Sequence, residues 1–130
     1  MTLPTDSKAR KDIPLASGCL DYFPLALAAV AQLSQAGNDK HNPGQPLHWS
    51  REKSNDHADC ILRHLLERGT VDPEDGILHD VKVAWRALAM AQLALEKRRF
   101  EAVYVANVNA VLSETDGPSS VPEFLKKHRE

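Results

Sequence analysis

Aromatic side chains make up only 5% of the chain, and sheets, which favour them, are correspondingly disfavoured. Cysteine is scarcer still. Cys19 and Cys60 are the two present and lie far apart, so reduced thiols in a cytoplasm are the expectation. Residues 1–12 are polar and no apolar run of the required length follows them, so no secretory signal is read. No stretch approaches the roughly 20 apolar residues of a membrane span, and no membrane partner is expected. An excess of positive charge is also missing. A formal net charge of -2 gives no support for a general nucleic-acid partner. A Gly-rich phosphate loop, a nucleophile elbow and a Cys–His pair with an orienting residue are absent, as are internal repeats and low-complexity tracts.

What is present is aliphatic and charged. Hydrophobic residues are 42% of the chain and charged residues 26%. Ala and Leu dominate the first group, and both lose little conformational freedom in a helix. The expectation is an all-α protein: a small helical bundle with three main helices and a C-terminal helical segment. A chain of 130 residues suits one domain and can bury a sizeable core, to which a subunit interface would add. The expected organisation is a flexible arm at 1–12, a helical domain at 13–112, and a linker with a short helix at 113–130.

The first helix is expected from about Tyr22 to Ala36. Asp21 is its cap, Pro24 stands in its first turn, and Phe23, Ala26, Leu27, Val30 and Leu33 form one apolar face. A long loop then runs from Asn38 to Lys53, interrupted by Pro43, Gly44 and Pro46, and it carries Lys40 and Trp49. A second helix, capped by Ser54, Asn55 or Asp56, runs to Arg68. Its core face is expected to be Ala58, Ile61, Leu62, Leu65 and Leu66. His57 and His64 then lie on one border of that face, and Asp59 and Arg63 on the other. The third helix, Ile77 to about Arg98, is apolar almost all round. A charged break at 96–99 is expected before the ambiguous segment 100–112, read as helix.

The stretch from Asn55 to Arg86 carries the chemistry. His79, Lys82 and Arg86, at i, i+3 and i+7, make a basic stripe on an otherwise apolar helix. Such a stripe holds phosphate groups or, as the alternative, forms a solvated face. His57, Cys60 and His64 have a spacing compatible with zinc but show no clear fourth ligand. Asp59, Asp72, Asp75 and His79 could meet around a hard divalent cation, although Asp72 and Asp75 also suit the turn before the third helix.

Four blocks in order, HNPGQPLHW (41–49), DHADCILRH (56–64), VDPEDGILH (71–79) and KVAWRALA (82–89), resemble the small, often phage-encoded proteins of the dATP/dGTP diphosphohydrolase N-terminal-domain type. The resemblance covers roughly residues 13–96. It implies an all-α nucleotide pyrophosphohydrolase related to the MazG-like group, which cuts between the α- and β-phosphates of a nucleoside triphosphate with Mg²⁺ or Mn²⁺. It also implies a homo-oligomer, acting in the host cytoplasm if phage-encoded. One departure is visible: Lys82 stands where the MazG-like helix carries a metal-binding carboxylate.

Two functional expectations follow. In the first, the protein hydrolyses nucleoside triphosphates to release pyrophosphate. Asp59, His64 and His79 are then the candidate catalytic residues, and Asp59, Asp72 and His79 the candidate ligands of one Mg²⁺ or Mn²⁺. Lys40, Trp49, Arg63, Lys82 and Arg86 would contact the nucleotide. In the second, the same residues sequester a nucleotide or nucleotide-derived signal without catalysis.

Overall fold

The computed structural model describes residues 3–114, and the short terminal helix expected at 121–128 lies outside them. The described residues form four α-helices, α1 (Ser7–Lys11), α2 (Pro24–His41), α3 (His57–Leu66) and α4 (His79–Glu114), with a π-helical turn at Ala16–Leu20 and a 3₁₀ turn at Arg51–Lys53. Among the described residues the only β pairing is an isolated bridge between Val71 and Leu78. The all-α expectation holds. The chain divides into two compact units, Met1–Met90 and Ala91–Glu130. The first contains α1, α2, α3 and the opening turns of α4. The described part of the second is the remainder of α4.

Element boundaries differ from expectation for identifiable reasons. The arm at 1–12 contains α1, whose first turn is capped by Asp6 accepting from the Ala9 amide at 2.7 Å. Pro24 opens α2, and no side chain caps it. The helix continues through Gly37 and Asn38 because the buried Asn38 serves as an anchor rather than a stop. Its Nδ2 donates to the Gln45 carbonyl at 3.0 Å, and its Oδ1 accepts from the His48 amide at 3.4 Å. Asn38 thereby holds the loop that was expected to begin there. The break at 96–99 is absent. Those charges sit on a continuous solvated helix, supported at i,i+4 by Gln92 donating to Glu96 at 2.7 Å and by Lys97 beside Glu101 at 4.0 Å.

The larger correction concerns which faces point inward. The leucines expected as the core face of α3 are exposed, Leu66 at 84%. The inward line is instead His57, Cys60, Ile61 and His64, the spacing of one helix face. On α4 the inward line is His79, Lys82, Arg86 and Ala89. Cys60 and Ala89 are the buried hydrophobic residues among those described, while Asn38, His57, His79 and Lys82 are buried polar ones. Both cysteines are free thiols, Cys19 exposed and Cys60 buried.

Candidate functional site

Between α3 and α4 the chain makes a pinned excursion. Gly69 follows α3 with φ +77° and Gly76 closes the turn with φ +73°, a region that side-chain-bearing residues rarely adopt. The backbone is tied across the base of this loop by Asp72 N–H to the Ile77 carbonyl at 2.9 Å and His79 N–H to the Thr70 carbonyl at 3.0 Å. The Asp80 carboxylate accepts from the Gly69 amide at 2.6 Å. The loop therefore holds its acidic side chains in fixed positions.

Lys82 reaches into that loop. Its Nζ lies 2.6 Å from Asp72 Oδ2 and 2.7 Å from Asp75 Oδ2. The other oxygens are also used: Asp72 Oδ1 accepts from the Glu74 amide at 2.9 Å, and Asp75 Oδ1 from the Ile77 amide at 3.1 Å. The Lys82 hydrogen bond holds the Asp72 carboxyl below its ordinary range. Burial pushes Asp75 up, but Lys82 and the Ile77 amide bring it below its ordinary value. Burial likewise works against the Lys82 charge, and the two carboxylates raise its pKa nonetheless.

The two histidines of the inner face of α3 meet the α4 stripe. His64 Nδ1 lies 2.9 Å from His79 Nδ1. The far nitrogen of His79, Nε2, is 3.5 Å from a Glu67 carboxylate oxygen. Burial, followed by the fields of His79, Lys82 and Arg86, holds His64 below the ordinary imidazole value. Arg86 Nη1 donates to Ser54 Oγ at 2.5 Å and faces His57 Nδ1 at 3.3 Å. An arginine only donates, so the His57 proton sits on Nε2, a buried atom with no hydrogen-bond partner among the described residues.

His64 of α3, Asp72 and Asp75 of the acidic loop, and Lys82 and Arg86 of α4 border a cavity of about 910 Å³ that is also lined by α2 and the 42–54 segment, within the size range of small-molecule sites. Trp49 and Trp85 lie on its wall, edge to face with centroids 5.7 Å apart. Trp85 is fixed by Nε1–H donating to Ser34 Oγ at 2.8 Å, and the Arg51 guanidinium stacks 4.4 Å over Trp49. Four cations line the cavity: Lys40, Lys53, Lys82 and Arg86. Lys40 pairs with Glu74, and Lys82 with two aspartates. Lys53 meets the neutral Asn42 amide oxygen at 3.3 Å, and Arg86 meets Ser54 and His57, so among the described residues no carboxylate takes up the charge of either.

Of the residues singled out in the sequence, Lys40, Trp49, His64, Asp72, Lys82 and Arg86 line the cavity, and His79 stands behind His64. Asp59 and Arg63 do not line it. They lie on the exposed border of α3, where Arg63 binds Asp56 at 3.1 Å and Cys60 Sγ at 2.9 Å. With Cys60 and Ser54, that guanidinium lowers the Asp56 carboxyl to about 2. The zinc spacing is likewise spent internally: His57 faces Arg86, His64 faces His79, and the Cys60 thiol donates to Asp56 at 3.4 Å. Among the described residues no group of three His, Cys, Asp or Glu side chains stands as a metal-ligand set. Sequence reasoning missed Ser34, Asn38, Lys53 and Glu67. The first two sit on the i+4 line of the inner face of α2, the signal that could have found them.

A family model described as dATP/dGTP diphosphohydrolase, N-terminal, matches residues 5–103. The chain belongs to that family. No curated protein and no solved structure matches it significantly. The matched segment of this diphosphohydrolase-family chain contains every cavity-lining residue named above, and the family name carries a hydrolytic activity on purine deoxynucleoside triphosphates.

Proposed function

We propose that the cavity binds a purine deoxynucleoside triphosphate and hydrolyses it to the monophosphate and pyrophosphate. The observation that carries this reading is one cavity that combines two tryptophans with two cations that have no carboxylate partner among the described residues. Aromatic faces suit a nucleobase, and Arg86 and Lys53 suit phosphate oxygens. The family supplies the substrate class.

Lys82 is not a phosphate anchor in this arrangement, because Asp72 and Asp75 already satisfy its ammonium. It occupies the place between two carboxylates that a hard cation would take. The donor set therefore does not fit a resident Mg²⁺ or Mn²⁺ of the kind the resemblance implies, and no step here runs through one.

The test is incubation of the protein with each of the four deoxynucleoside triphosphates, in Mg²⁺, in Mn²⁺ and in chelator, followed by product chromatography. Pyrophosphate with dAMP or dGMP is the expected result. No turnover of any nucleotide under all three conditions overturns hydrolysis. If dATP or dGTP is then recovered intact from a tight complex, the protein is a sequestering one.

A further inference from the structure

The Glu67–His79–His64 alignment admits two tautomer orders. With one proton on each ring, either His64 Nδ1–H donates to His79 Nδ1, or the reverse. In the reverse order His79 Nε2 would turn a lone pair toward the Glu67 carboxylate 3.5 Å away, an unfavourable approach of two acceptors. In the first order His79 Nε2–H faces that carboxylate, and each of the three contacting nitrogens meets a complementary group. His64 then carries its proton on Nδ1, pinned against a ring that is 4% exposed. Its Nε2 lone pair is left as the basic atom of a residue that lines the cavity.

Resting on the hydrolytic reading above, we propose that His64 Nε2 is the general base for the attacking water, and that His79 and Glu67 are positioning residues acting through it. The water oxygen forms a bond to the α-phosphorus, and the bond from that phosphorus to the α,β-bridging oxygen breaks. Pyrophosphate leaves with the bond pair, and the water proton goes to His64 Nε2. Nothing beyond water and the nucleotide is consumed. The other neighbours of His64, Lys82 and Arg86 from α4 and Asp72 from the acidic loop, act on it only through their fields.

The order of protons is read by long-range ¹H–¹⁵N correlation spectra of the imidazoles, with no reference to activity. The expected result is His64 in the Nδ1–H form and His79 in the Nε2–H form. His64→Gln should lower kcat by about 10²–10⁴-fold with KM unchanged. Glu67 is exposed, so Glu67→Gln tests positioning without threatening the fold. It should lower kcat severalfold, leave KM unchanged and weaken the His64 tautomer preference. His79→Leu should abolish that preference, and His79→Asn, which restores an acceptor near the position of Nδ1, should recover part of it. Three results overturn the proposal: His64 in the Nε2–H form, His79 doubly protonated at neutral pH, or an unchanged kcat in His64→Gln. A wild-type protein with the expected tautomers but no turnover of any triphosphate removes the base role along with the hydrolytic reading. The tautomer spectra separate that failure from a failure of the alignment itself.

Discussion

Around the cavity the chain buries an asparagine, two histidines and a lysine, whereas every described residue of α4 from Ala94 onward is exposed, including Phe100, Tyr104 and Leu112. The two regions share a helix but not a source of stability. In the first, each buried polar group save one histidine nitrogen is matched by a specific partner, and the position of one side chain fixes the next. In the second, i,i+4 pairs such as Lys97–Glu101 add to the backbone hydrogen bonds of the helix. Buried polar networks are costly when incomplete. A substitution near the cavity should therefore be felt strongly, and one on the outer turns of α4 weakly.

The largest effect is expected at Lys82. Lys82→Met leaves Asp72 and Asp75 facing each other without a cation. Breaking a fully buried pair costs ~3–5 kcal/mol. Asp75 keeps 32% of its side-chain surface, so about 3 kcal/mol is expected, measured by chemical denaturation. The signs across pH follow. Asp72 and Asp75 have folded pKa values below the unfolded ones, so their contribution is full above about pH 4 and is lost as pH falls through the folded values. Lys82 is raised; its contribution is full below about pH 10 and is lost as pH rises through its folded value. Both edges should flatten in Lys82→Met. A variant as stable as wild type would show that the polar cluster contributes nothing and would erase the contrast between the regions.

The stripe of His79, Lys82 and Arg86 was legible in the sequence, because three basic residue types at one helical phase stand out on an apolar helix. The direction in which it points was not. Hydrophobic patterning assigns Leu62, Leu65 and Leu66 to the interior of α3, yet the histidine border faces α4 because His64 and His57 find partners in His79 and Arg86. Pair contacts of this kind, between residues 15 and 29 positions apart, leave no periodic trace. The same holds for Glu67, which lies just past α3 and acquires meaning only beside His79. The loop expected from Asn38 onward begins later for a related reason: asparagine after glycine is a usual helix end, but the buried Asn38 instead bonds to the 45–48 loop from within α2. The all-α architecture was legible because it rests on local propensity.

Next in size is the aromatic wall. Trp49→Leu should weaken dATP or dGTP binding by about 1–2 kcal/mol, or roughly 5–30-fold in Kd, with a small change in thermal stability because Trp49 is only half-buried. Isothermal titration against wild type decides it. Unchanged affinity with lowered stability would make Trp49 a packing residue and move the nucleobase elsewhere.

A smaller step should appear near neutral pH. The pKa of His64 is lower in the folded protein than the ordinary value, chiefly through burial, so the unfolded chain takes up its proton first. Its contribution is complete above about pH 6.5 and is lost as pH falls through the lower folded value. Melting temperature should therefore decline modestly below pH 6.5, ahead of the steeper loss below pH 4. The decline should vanish in His64→Gln and persist in Lys82→Met. A decline that persists in His64→Gln assigns it to another group.

The smallest effect is expected on the outer turns of α4. Tyr104 is 63% exposed, and an exposed residue without a specific partner usually contributes within ~0.5 kcal/mol. Tyr104→Ser should leave the denaturation midpoint of the dilute protein almost unmoved. The measurement is repeated over a hundredfold range of protein concentration, because a second copy covering this face would stabilise wild type by mass action. A difference between wild type and Tyr104→Ser that grows with concentration would show that the outer turns are buried in an assembly. The contrast would then lie between an interior completed by the chain's own polar partners and one completed by another chain.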